Sequence, residues 1–388
     1  MSREDLVEVQ EQEDIEIEGP EGNTINENID AIEDEEGNLL AGEEAPSAPQ
    51  DNFYANLAEF LDDSQLKSLA SKLLADFKDD SLARKSYIET YTKGLDLLGF
   101  KYQEVTRPFI GASGVTHPLL AEAATQFQAQ AFKELLPSDG PVRCQVVGAE
   151  SKETIQQANR VKDYMNYQIT DVMEEYTPEM DQMLFFLPLA GSTFKKVYYD
   201  PAAQRCKATF IHAEDLVVPY NASDLYEAER ISEVQRVTKN TVAKRIASGF
   251  YRDVELPEPF FNEDRAQKKY QELEGVTPQK YQDLYNFVEM HVDLDLPGYE
   301  SDDGVKVPYI VTLDRDSMTI MSIYRNYKPD DPARKRIPYF VHYKFLPGLG
   351  FYGFGLIHMI GGLSKAATGA LRQLLDAGTL ANLPAGFK

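Results

Sequence analysis

The sequence has few of the residues from which reactive or metal-holding sites are usually built. Only two cysteines occur in 388 residues, Cys144 and Cys206, far apart and without a CxxC pair. That excludes a disulfide framework and a cysteine metal site, and fits buried free thiols in a reducing compartment. Five histidines (His117, His212, His291, His342, His358) are scattered along the chain, and no HExxH joins any two of them. GxSxG and the GxxxxGK[ST] phosphate loop are absent as well, so no motif nominates a catalytic or metal site, and neither an enzyme nor a cofactor is expected. Basic residues are scarce, 39 against 64 acidic ones, for a net charge of -25. Such a chain does not grip nucleic acid or anionic membrane through broad positive patches. The N-terminus opens Met1-Ser2-Arg3-Glu4-Asp5 and stays acidic, with neither the positive nor the apolar region of a secretory signal, so a cytoplasmic start is expected.

Long apolar runs are also missing, with one near exception. Residues 345–364 carry no charge over twenty positions, about the length a bilayer requires. They include Pro347 and six glycines, and each glycine weakens a helix by about 1 kcal/mol relative to alanine. A loop entering a helix is expected there, and no membrane span.

What is present is 43% hydrophobic content, enough for two or three packed units, and a very uneven charge. Residues 1–50 hold seventeen acidic side chains against Arg3 alone, so this stretch carries -16 and the remaining chain only -9. It has no aromatic residue and cannot bury enough apolar surface to offset its ordering entropy, so a disordered acidic tail is expected. A solubilising tail and a docking tail for a basic partner both fit it.

Periodicity then divides the chain. Leu66, Leu69, Leu73, Leu74 and Phe77 fall at helical spacing, as do Leu82, Ile88, Tyr91, Leu95 and Leu98. A third helix is expected from His117-Pro118 to Leu136, a long fourth over 151–176, and a fifth from Thr177-Pro178 to Gly191. From Ser192 the period drops to two, predicting a hairpin, then strands at 288–296, 307–313, 319–324 and 339–346 with one inserted helix at 241–248. In the first of these strands Glu289, His291, Asp293 and Asp295 alternate with apolar residues, which predicts a half-buried strand with a polar outer face. Neither Asp293/Asp295 nor Asp314/Asp316 continues into a calcium loop. A last long helix is expected over 355–381. The fold class is α+β.

Two features invite function. Gly348-Leu349-Gly350-Phe351-Tyr352-Gly353 matches GxGxxG between a strand and a helix. A nucleotide-binding enzyme would use Gly348, Gly350 and Gly353, but the second strand and its acidic residue do not follow, and a tight junction explains the glycines better. In the last helix Lys365, Thr368, Arg372, Asp376 and Thr379 form one narrow polar stripe, while Leu356, Ile360, Leu363, Leu371, Leu374 and Leu375 cover much of the rest. Gly361, Gly362, Ala366, Gly369 and Ala370 are small enough for close backbone approach. Such a helix is expected to be buried on most sides, inside one domain or against copies of itself.

Three segments together resemble the portal protein, the head-to-tail connector, of short-tailed bacteriophages. They are Arg107-Pro108-Phe109-Ile110-Gly111-Ala112-Ser113-Gly114-Val115-Thr116-His117-Pro118, His212-Ala213-Glu214-Asp215-Leu216-Val217-Val218-Pro219-Tyr220 leading into 230–245, and Gly350-Phe351-Tyr352-Gly353-Phe354-Gly355 with the helix through Leu371 to Gly378. The resemblance implies a homo-oligomeric ring, usually of twelve subunits, at one capsid vertex of a virion assembled in the host cytoplasm. Double-stranded DNA would pass through it without sequence readout, and the partners would be major capsid, scaffolding, terminase and tail or adaptor proteins. It implies a helical wing over 51–191, a β-rich wing over 192–347 and a Gly-rich turn with a stem helix over 348–388, after the acidic tail of 1–50. Lys365, Thr368, Arg372 and Asp376 would line the DNA channel, and Gly361, Gly362, Ala366, Gly369 and Ala370 would pack subunits. The family's clip, returning stem helix and crown would lie beyond Lys388. Another virion component, a minor capsid or scaffold-interacting protein, is the alternative.

Overall fold

The computed structural model describes residues 52–100, 109–200, 203–259, 265–275, 284–300 and 303–382. The expected acidic tail, and the Arg107-Pro108 start of the first family-like segment, lie outside these. In chain order the helices α1 (Asp63–Ala83), α2 (Lys85–Gly94, prolonged by a 3₁₀ turn Leu95–Leu98), α3 (Leu119–Leu135), α4 (Lys152–Tyr167) and α5 (Tyr176–Ala190) come first. Strands β1 (Ser192–Asp200), β2 (Arg205–Ile211), β3 (Leu216–Val217) and β4 (Arg230–Thr238) follow. Next are α6 (Lys239–Ala247) and α7 (Arg265–Glu274), then β5 (Leu284–Leu294), β6 (Val307–Asp314), β7 (Thr319–Arg325), β8 (Phe340–Lys344) and finally α8 (Leu356–Ala381). The architecture is mixed α and β, compatible with α+β.

Local chemistry sets the helix ends. Ser151 accepts the Thr154 N–H at 3.1 Å to start α4, and Thr238 accepts the Thr241 N–H at 3.2 Å to start α6. Gly191, at φ +87°, closes α5 in the left-handed region that a side chain would resist. The expected single helix over 151–176 is divided: α4 passes into a π turn (Gln168–Val172), and Met173 leaves helical geometry before α5 begins.

Two antiparallel sheets follow, one in the order β2-β1-β8 and one in the order β3-β4-β5-β6-β7. The Leu66, Ala70, Leu73, Leu74 and Phe77 face of α1 lies on Val288, Met290, Val292 and Leu294 of the larger sheet. Burying each large side chain contributes about 1.5–3 kcal/mol. A second core joins Tyr91, Leu95, Leu120, Ala124, Leu189 and Ile357 from α2, α3, α5 and α8. Because α1 shares its core with the sheet, the boundary at 191/192 changes secondary structure without separating two cores.

Three expectations change. The β-rich segment carries two inserted helices, α6 and α7, instead of one. Strand β5 is buried on both faces, with His291 1% exposed, because the smaller sheet covers the face expected to meet water. The cysteines are not buried, Cys206 being exposed and Cys144 half-buried.

Candidate functional site

The path from β8 into α8 crosses the end of α5 at backbone contact distance. A Cβ on Gly355 would lie 2.2 Å from the Leu189 carbonyl oxygen, and one on Gly353 would lie 2.4 Å from the Gly191 oxygen. A Cβ on Gly191 would meet the Gly355 nitrogen at 2.4 Å. Only glycine fits at these three positions. The Ser192 hydroxyl accepts the Gly353 N–H at 2.7 Å, and the Phe345 N–H donates to the Gly191 carbonyl at 3.0 Å. The GxGxxG match is therefore a packed junction. A Cβ on Gly348 would lie 2.2 Å from the Tyr352 carbonyl oxygen, the Gly353 amide is already spent on Ser192, and a Cβ on Gly350 would meet nothing within 4 Å. A phosphate cradle at Gly348, Gly350 and Gly353 would lack the Gly353 amide.

Ser192 also lies 3.0 Å from Nε2 of His342, the spacing of a nucleophile and its base. Its surroundings exclude that role. Ser192 has no exposed surface, and the His342 ring packs against both Phe194 and Phe351 at 4.5 and 4.6 Å. Burial lowers His342 to about 3, so the ring is neutral, and the Ser192 hydroxyl it meets is out of reach of a substrate.

The polar stripe of α8 is a clamp on its own chain. The His117 N–H donates to Oγ1 of Thr368 at 3.1 Å, Nε of Arg372 donates to the Val115 carbonyl at 2.7 Å, and the Ser113 N–H donates to Oδ1 of Asp376 at 2.7 Å. Helix positions four apart rise about 6 Å, close to the span of two extended residues, so 368, 372 and 376 meet 117, 115 and 113 in register. Of the four residues expected to line the channel, Thr368, Arg372 and Asp376 thus hydrogen-bond a strap formed by 113–117. Lys365 is exposed and makes no ion pair or hydrogen bond among the described residues. The small polar run Ser113-Gly114-Val115-Thr116 was the available signal, but nothing in it names the helix it lies on.

The rest of α8 is barely covered. Its buried positions are Ile357, Gly361, Ser364 and Thr368. On the opposite side Met359, Leu363 and Leu374 are 55, 63 and 72% exposed, in line with exposed Ala366, Ala370 and Ala377. Of the expected packing residues, Gly361 faces inward, with Leu97 at 3.4 Å from its Cβ position, whereas Gly362 and Gly369 have open space. Burial on most sides is thus absent within one chain. The helix α4 is similar: none of its sixteen residues is buried, and Tyr164 and Ile155 are exposed.

The chemistry-bearing residues are instead inside. Nζ of Lys196 on β1 lies 2.7 Å from Glu233 on β4 and 2.7 Å from Glu289 on β5, and Nε2 of His291 lies 2.8 Å from Glu289. The ammonium holds Glu289 well below the carboxylate range against the opposing pull of burial, while Glu233 is pushed up, chiefly by burial. This network binds the two sheets together. Neither the Asp293/Asp295 nor the Asp314/Asp316 pair forms a cation site: Asp293 pairs with Arg336 at 2.8 Å, and Asp314 accepts the Ser317 hydroxyl at 2.6 Å. Among the described residues no group of histidine, cysteine, aspartate or glutamate is arranged to hold a metal.

Fold and surface together define a mixed α and β chain with one long, uncharged helix face left open. No protein-family model and no curated protein matches the chain. Among the described residues no helix is long and apolar enough to cross a membrane.

Proposed function

We propose that this chain is the subunit of a portal ring at one capsid vertex of a short-tailed phage, a channel for double-stranded DNA during packaging and ejection. The observation that carries this reading is the outer face of α8. A helix of 26 residues that buries four of them and exposes Met359, Leu363, Ala366, Ala370 and Leu374 needs a cover. A neighbouring copy supplies one, and a repeated contact of unlike faces closes into a ring. The small residues let the helices of two copies approach closely. Exposed Gly362, Ala366 and Ala370 and half-buried Gly369 serve that contact, while Gly361 serves the inner one.

With Arg372 turned to the strap, contact with DNA falls to Lys365, one phosphate-seeking cation per subunit and no base readout. Sparse positive charge keeps a moving polymer mobile, because every phosphate contact adds affinity through counterion release. On this reading the chain has no enzymatic role or cofactor, is found in the virion after assembly in the host cytoplasm, and meets capsid, scaffolding, terminase and tail proteins. Negative-stain imaging of the assembled protein tests it: rings with a central hole are expected, and particles without one end the proposal.

A further inference from the structure

The inserted helix α7 is ten residues long and strongly polar, with only Ala266, Tyr270 and Leu273 on a common face. A helix this short is marginal by itself, so its order depends on docking. Tyr270 is the anchor. Its hydroxyl lies 2.8 Å from the Tyr91 hydroxyl, its ring packs on Phe186 and His212 at 5.7 and 5.6 Å, and it faces the Glu214 carboxyl. Leu273 joins the core of α2, α3, α5 and α8, and Lys269 pairs with Asp96 at 2.5 Å.

Glu214 is poorly provided for. Its Oε2 is sealed from solvent and has no hydrogen-bond partner. The one nearby guanidinium, Arg84 at the corner between α1 and α2, directs its N–H groups to the carbonyls of Ala213 and Leu216 at 2.6 and 2.7 Å and to that of Glu214 itself. The other groups facing it are Tyr87 and Tyr91 on α2, Tyr270 on α7 and the neighbouring Asp215, which pairs with Arg236 at 2.9 Å. A carboxylate in this setting has no ion pair of its own, and a charge so placed is costly.

We propose that α7 is a pH-dependent latch, docked through Tyr270 on a protonated Glu214 and released as Glu214 ionises. Burial first, and the Asp215 charge second, push Glu214 up to about 7 against the smaller opposing pull of Tyr270 and Arg84. A carboxyl whose docked value lies above its free value favours docking on the acid side, and that preference fades as pH rises from about 5 to above 7. His212, whose own value is lowered by burial, carries the opposite sign, since protonating it opposes docking.

Hydrogen exchange of the full chain between about pH 5.5 and pH 8 tests the latch, with rates corrected for intrinsic exchange and β6 amides as the internal reference. The expected result is that protection of the α7 amides falls about 30-fold relative to β6 across this range. In Glu214→Gln, α7 should stay docked at every pH. A flat profile in the parent, or the same slope in Glu214→Gln, overturns the proposal. Should Glu214→Gln fail to fold, infrared absorption of the parent decides, because a protonated carboxyl must be seen on the acid side and vanish as pH rises through neutrality. The latch is independent of ring assembly and would operate in a single subunit.

Discussion

Oδ1 of Asp376 accepts the backbone N–H of Ser113 at 2.7 Å, joining the last turns of α8 to a segment that precedes α3. The carboxylate is the third of three evenly spaced holds, so the strap is fixed at 113, 115 and 117 or slips as a unit. Asp376→Ala leaves the Ser113 amide without its charged acceptor, a loss of about 1–2 kcal/mol at a half-exposed site. Exchange of the 113–117 amides should rise severalfold while β5 and β6 stay protected. An unchanged strap would show that Thr368 and Arg372 suffice.

The crossing at Gly355 makes a sharp contrast with Gly350. Gly355→Ala drives a Cβ into the Leu189 carbonyl and should cost about 3 kcal/mol or more, enough to lower the melting temperature by several degrees. Gly350→Ala meets nothing within 4 Å and should melt within a degree or two of the parent. A nucleotide-binding loop would predict the reverse sensitivity, with Gly350 critical for ligand binding. Thermal unfolding of the two variants side by side separates these accounts.

Much of the architecture is legible in the periodicity. The helical spacing of Leu66, Leu73 and Phe77 marks α1, and the period of two from Val288 to Leu294 marks β5, because each pattern is set by a single element meeting a core. What periodicity misses depends on distant partners. Glu289 and His291 look solvent-facing because nothing near them in sequence says that Lys196 of another sheet covers them. The Lys365-to-Asp376 stripe has the same ambiguity, since a polar row suits water and a hydrogen-bonded strap equally well. The helix α7, mostly polar and only ten residues long, has too weak an apolar pattern to stand out.

The Lys196 network predicts a pH signature. Lys196→Met removes the cation between two buried carboxylates and should destabilise the fold by about 3–5 kcal/mol near neutral pH. In the parent, Glu289 sits below its ordinary value, so its contribution is present above the carboxylate range and lost as pH falls through it. Without Lys196, burial raises both carboxyls, and the variant should recover stability relative to the parent as pH drops from about 8 to 5. Chemical denaturation at the two values checks the sign, and a deficit that does not shrink with acid contradicts the network.

His342 contributes acid sensitivity, alongside His212, His291 and His358, which burial also lowers. Its folded value of about 3 lies below the ordinary 6.5, so its contribution is complete above 6.5 and is lost between there and about 3. Each unit of that depression corresponds to about 1.4 kcal/mol, reduced where the ring edge meets solvent. His342→Phe keeps an aromatic ring against Phe194 and Phe351 and gives up only the Ser192 contact. It should flatten the fall of unfolding free energy between pH 6.5 and 4 measurably. A slope equal to the parent's would transfer the acid response to other groups.

The open face of α8 gives the assembly its most direct variant test. Leu363 and Leu374 touch nothing that holds the single chain together, being 63 and 72% exposed, so Leu363→Glu and Leu374→Glu should change the melting temperature of the isolated chain by little. In an assembled ring both positions would be covered, and a carboxylate buried there without a partner costs several kcal/mol at each interface. Because every subunit in a closed ring makes the contact twice, the defect repeats around the ring. Light scattering of size-separated material should then show monomer or small oligomers in place of the large species. Lys365→Gln, placed at the flank of that face, should leave the mass unchanged and reduce only DNA retention. If both glutamate variants still assemble, copies of the chain meet elsewhere, and the exposed side of α4 becomes the surface to vary.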